Sequence, residues 1–165
     1  MLLSDKRDEP KTTGLAVSHR DVARDCALVL SALSGLAGLF GAFRWYRNEA
    51  SRGFWIAVRV AQAAAIAYAV LTGVFYLAGW HPSNKLFYLY ALLPVAIGFV
   101  AEQLRVIAAD HVLSQRDLED AAAVGRLPPQ EQADVVLAIL RRELGIMAAA
   151  SLVVCFLALR AYGTY

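Results

Sequence analysis

A chain of 165 residues that is 59% hydrophobic and only 18% charged is not an ordinary soluble domain, which carries about 45–50% apolar and about 25% charged residues. A formal net charge of +2 excludes a strongly basic nucleic-acid-binding surface, and the length holds four membrane spans but no sizeable soluble domain beside them. Cys26 and Cys155 have neither CxxC nor metal-site spacing and read as small buried apolar residues.

Residues 1–25 mix charged and polar side chains with Pro10 and Gly14. No basic stretch runs promptly into a short apolar core with a cleavage site, so they read as a polar, disordered tail rather than a signal peptide. The membrane domain is expected over residues 26–162. Its four apolar blocks, 26–43, 54–79, 86–109 and 144–162, are long enough to cross about 30 Å of hydrocarbon at about 1.5 Å per residue, the first only narrowly. None alternates with period two, so the expected class is all-α: a polytopic bundle of four transmembrane helices. In the first block Ser31, Ser34, Gly35, Ala37, Gly38 and Gly41 make a face of small residues that lets another helix approach closely. The expected neighbour is one of the chain's own helices, with a second subunit as the alternative; a homo-oligomer stays open.

Arg44-Trp45-Tyr46-Arg47 closes the first span with interfacial aromatic rings and charges, and Trp80 to Lys85 makes a short turn between the second and third. Residues 110–143 are the one sizeable polar connection, expected to form a helical hairpin outside the membrane. Ser114 to Asp117 resembles a capping box before Leu118, and Pro128-Pro129 followed by Gln130 and Glu131 suits a helix start that continues through Val135 into the fourth span. Lys/Arg placement, eight residues against seven, favours cytoplasmic loops at 44–53 and 110–143 with both termini outside.

The informative side chains are the ionisable ones inside spans, because a charge in hydrocarbon is costly and turns toward protein or water. Arg59 and Gln62 lie early in the second span; Glu102 and Arg105 lie late in the third. A short turn makes these spans antiparallel, so Arg59 and Glu102 fall at similar depth, about 8–12 Å from the same face. Arg59 shares a stripe with Gln62, Ile66, Val70 and Gly73, and Glu102 one with Pro94, Gly98 and Arg105. The two are therefore expected to face each other inside the bundle as a polar layer, with Arg44, Arg142 and Glu143 near its rim. An excess of arginine in that layer favours an anionic guest such as a lipid phosphate.

His19, His81 and His111 lie outside the spans, and His81 and His111 sit at opposite ends of one span, where they cannot ligate one iron. No metal-ligand spacing, nucleophile motif or phosphate loop occurs, so no catalytic residue, metal or cofactor is expected. Ala101-Glu102-Gln103-Leu104-Arg105, Leu118-Glu119-Asp120-Ala121, Val124-Gly125-Arg126-Leu127-Pro128 and Arg141-Arg142-Glu143 give residues 86–160 a resemblance to small integral membrane proteins of actinobacteria. That resemblance implies four helices in a bacterial plasma membrane and brings no activity. The expected function is a non-enzymatic accessory or assembly subunit docking a membrane partner through residues 114–140. The alternative is a small transporter, or a protein binding an anionic lipid or small molecule at Arg59, Gln62, Glu102 and Arg105.

Overall fold

The computed structural model describes residues 19–49, 51–79, 85–118 and 120–164. Its helices in chain order are α1 (His19–Tyr46), α2 (Arg52–Leu77), α3 (Leu86–Ser114), α4 (Ala121–Val124) and α5 (Pro129–Tyr162), with no strand among the described residues. All but α4 are long and apolar enough to cross a membrane. The distribution of side chains fits that solvent. Alanines fill the interior (Ala27, Ala37, Ala91, Ala158), while Leu36, Ile56, Phe99 and Phe156 point outward. A water-soluble bundle does the reverse, hiding its large apolar residues; lipid imposes no such penalty and leaves close packing of small residues to hold the helices together.

The tightest packing is around α1. A Cβ on Gly38 would sit 2.7 Å from Leu152 of α5, and one on Gly41 would sit 2.3 Å from the Phe54 ring of α2 and 2.9 Å from Ala148 of α5. The small face of the first span thus meets the chain's own helices. These contacts, with Ser31 bonding the Cys155 carbonyl at 3.3 Å, run α1 antiparallel to α5. α3 packs along the other side of α5, and α2 meets α3 only slightly.

Three boundaries differ from the sequence reading. α1 is described from His19, so residues 19–25 belong to the first helix and not to the tail; residues 1–18 lie outside the described residues, as do residues 80–84 of the turn before α3. Arg24 is anchored within it, donating to the Tyr162 hydroxyl at 2.8 Å with its guanidinium 4.5 Å from the ring centre. The connection at 110–143 is not a helical hairpin of its own: α3 extends to Ser114, α5 starts at Pro129, and among the described residues only α4 lies between, capped by Asp120 accepting from the Ala123 amide at 2.7 Å. Ser114 to Asp117 is not a capping box either. Asp117 takes the left-handed conformation (φ 55°) and closes the end of α3, with the Leu118 amide donating to the Leu113 carbonyl at 3.0 Å. Asn48 ends α1 in the same way, φ 54° with the Glu49 amide on the Arg44 carbonyl at 3.1 Å. Asn and Asp can do this because their short polar side chains tolerate that region.

The close approach of α1 makes a prediction. Gly41→Ala should lower thermal stability by about 1–3 kcal/mol through overpacking against Phe54 and Ala148. Gly73→Ala, where an added Cβ meets nothing within 4 Å, should be neutral or stabilising. Thermal unfolding in detergent checks this; equal effects would show that the α1 contacts do not hold the bundle.

Candidate functional site

Three helices bring ionisable side chains to one level. Arg59 lies seven positions after Arg52, which begins α2, so it stands about 10 Å along the helix. Its Nη1 donates to Glu102 Oε1 of α3 at 2.7 Å and to Gln62 Oε1 at 2.7 Å. Gln62 Nε2 donates to the same carboxylate oxygen at 2.9 Å. The other oxygen, Oε2, lies 3.3 Å from Arg105 Nη1, one turn further along α3. Arg105 Nε in turn lies 3.6 Å from Glu143 of α5, and its guanidinium stands 5.2 Å from the Trp55 ring centre. Glu102 is therefore the hub, tying α2 to α3, and Arg105 carries the link to α5.

The expected partnership of Arg59 and Glu102 is present, but not inside the bundle. The buried face of α2 is Phe54, Val58, Ala61, Ala65, Tyr68, Thr72 and Phe75; Ile66, Val70 and Gly73, expected to share the inner face with Arg59, are exposed. The Arg59 side chain is 56% exposed and that of Glu102 29%. The long arginine stem reaches round from the outer flank to the carboxylate. Pro94 of the α3 stripe is buried, as expected.

The rim residues divide. Glu143 joins the network; Arg44 pairs with Glu49 at the end of α1, and Arg142 reaches Gln115 at 3.4 Å. The network proper thus holds two arginines and two carboxylates and is balanced, without the arginine excess the sequence suggested.

Beside the network, α2 and α3 leave a lateral cleft of about 280 Å³, open to the outside between the helices. Arg59, Gln62 and Glu102 line its polar end; Ala65, Ile66, Pro94, Val95, Gly98 and Phe99 line the rest. The polar end lies toward the Arg-rich loops and the apolar floor runs toward the middle of the helices. Among the described residues, Arg59 makes no hydrogen bond through Nε or Nη2. Nη1 is occupied by Glu102 and Gln62, so the Nε–Nη2 edge, two parallel N–H groups, is left without a partner among the described residues, on a side chain that lines the cleft. That edge has the fork geometry that grips a phosphate or carboxylate through two bonds.

Sequence reasoning did not reach Trp55 or Ser34. Trp55, two turns before Gln62, drew no reading from the sequence; Ser34 was one of several small residues on α1. Ser34 is fully buried, and its hydroxyl has no hydrogen-bond partner among the described residues, unlike Ser31, Thr72 and Ser151, which bond backbone carbonyls.

The hub position of Glu102 predicts unequal mutational costs. Glu102→Gln leaves two arginines with one carboxylate and should lower stability by about 1.5–3 kcal/mol. Arg59→Gln removes an exposed partner and should cost about 1 kcal/mol or less. Thermal melts of the two variants test this ordering, and a larger loss for Arg59→Gln would overturn it. No family model, curated protein or solved structure matches this chain, so its functional reading rests on this geometry.

Proposed function

We propose that this multi-pass membrane protein binds the phosphate head of an anionic lipid or lipid-like molecule in the α2–α3 cleft, without performing chemistry on it. The observation that carries the reading is the hydrogen bonding of Arg59. Glu102 and Gln62 hold one nitrogen at 2.7 Å each, and the forked Nε–Nη2 edge has no partner among the described residues on a side chain that lines the cleft. Because the network is electrically balanced, a phosphate is gripped by placed donors rather than drawn by net charge. The apolar floor then accommodates a chain running from Arg59 toward the bilayer centre, which is how a lipid lies in its leaflet. Loops 44–53 and 110–143 face the cytoplasm of a bacterial plasma membrane in this reading, and the site belongs to the cytoplasmic leaflet.

A second reading, the accessory or assembly subunit, draws on a groove of about 340 Å³ between α1 and α5. Ala42, Gly145, Ala148 and Ala149 line it, small enough to admit a partner's helix. The docking face expected at residues 114–140 lends it less, because Val135 is fully buried and Leu118, Val124 and Leu127 are half-buried, leaving Val136 and Leu137 outward.

The lipid reading predicts that short-chain phosphatidic acid raises the Tm of the detergent-solubilised protein by about 5–10 °C at about a hundred times its Kd, where phosphatidylcholine does not. Arg59→Lys, which keeps the charge and loses the fork, should remove most of the shift. Gly98→Leu should remove it by filling the cleft, since nothing lies within 4 Å of a Cβ there. An unchanged shift in both variants would reject the site. Native mass spectrometry of protein taken gently from its membranes separates the readings: retained anionic lipid supports the first, a stoichiometric protein partner the second.

A further inference from the structure

Beside the cleft lies a second, smaller recess of about 30 Å³ where α1, α2, α3 and α5 converge. It shares Gln62, Ala65, Pro94 and Gly98 with the cleft, so the two are neighbouring compartments. It also marks a gap between two packed cores, one centred on Leu30, Tyr68 and Phe87, the other on Phe54, Val58 and Met147. Ser34 lines this space. It is fully buried, yet its hydroxyl bonds nothing among the described residues.

A buried hydroxyl without a partner costs about 1–3 kcal/mol, and a helical serine usually avoids that by bonding the carbonyl one turn back, as Ser151 bonds Met147 here at 2.8 Å. Ser34 makes no such bond among the described residues, which leaves its O–H unmet at the wall of this space. Gln62 offers a second donor at the same wall. One Nε2 hydrogen serves Glu102 at 2.9 Å, and the carboxamide has another. Donors from α1 and α2 therefore border a space of about 30 Å³, the volume of one water-sized polar group. No charged side chain lines it, so the group it suits is neutral.

We infer that the two compartments form one site for an ester-linked phospholipid. The phosphate lies on Arg59, and an ester carbonyl a few bonds below it enters the inner space to accept a hydrogen bond from Ser34. The inference rests on the phosphate reading above and narrows it. A glycerophospholipid carries such a carbonyl close to its phosphate; a dialkyl ether lipid and a polyprenyl phosphate share the phosphate and lack the carbonyl.

The test compares diacyl phosphatidic acid, its dialkyl ether analogue and a polyprenyl monophosphate by competition, with retention read by native mass spectrometry. The wild-type protein should prefer the ester over the ether by about 3- to 10-fold, the range of one net hydrogen bond. Ser34→Ala should abolish that preference while leaving ether binding unchanged. The unliganded variant should melt no lower than wild type, because removing an unpartnered hydroxyl relieves its desolvation cost. Equal binding of ester and ether by the wild type overturns the inference and leaves the phosphate site standing. A preference that survives in Ser34→Ala also overturns it. If none of the three lipids binds, the phosphate reading falls and takes this inference with it.

Discussion

Close approach of α1 to its neighbours is the constraint from which the rest of the architecture follows. Without side chains at Gly38 and Gly41, α1 sinks against α5 and receives the Phe54 ring of α2, so three helices form a tight corner. α5 spends its opposite flank on α3. α2 and α3 then meet mainly at two levels. At one, Arg59 and Gln62 reach Glu102; at the other, Tyr76 and Tyr88 pack edge to face with centres 5.6 Å apart. Between an ionic contact and an aromatic one, small residues such as Ala65 and Gly98 fail to fill the gap, and the cleft is what they leave.

The ionic contact answers a problem the bilayer sets. An arginine or glutamate placed singly at this depth would face the cost of dehydration. Four groups joined through Glu102 and Arg105 cancel one another's charge and distribute the hydrogen bonds over α2, α3 and α5. Cancellation has a second effect: it removes long-range attraction for anions while keeping local donors in place. Selectivity at such a site comes from the shape of the donor set, and Arg59 keeps Nε and Nη2 without partners among the described residues.

The number of long helices and the pairing of Arg59 with Glu102 were legible in the sequence, because block length and helical rise fix depth independently of packing. The direction in which Arg59 faces was not. On α2, Ile66 and Val70 are as apolar as Val58, and hydropathy cannot separate a face that meets lipid from one that meets protein when both solvents are apolar. The start of α1 was missed because charge was read as a sign of disorder, whereas Arg24 finds a phenol on α5. The Ser114–Asp117 segment was misread because a polar run that starts one helix resembles one that ends another, and only the backbone of Asp117 tells them apart. Ser34 was hidden among small residues; what distinguishes it is an unmet hydrogen bond, a property of three-dimensional surroundings.

α5 runs 34 residues without a break, about 51 Å at 1.5 Å per residue, well beyond the roughly 30 Å of hydrocarbon it must cross. Its first turns, from Pro129 past the buried Val135, lie alongside the last turns of α3, which hold the buried Val112. Glu143 belongs to the same unbroken rod. The carboxylate that meets Arg105 is thus carried by the same continuous helix that begins at Pro129, 14 residues or about 21 Å before it.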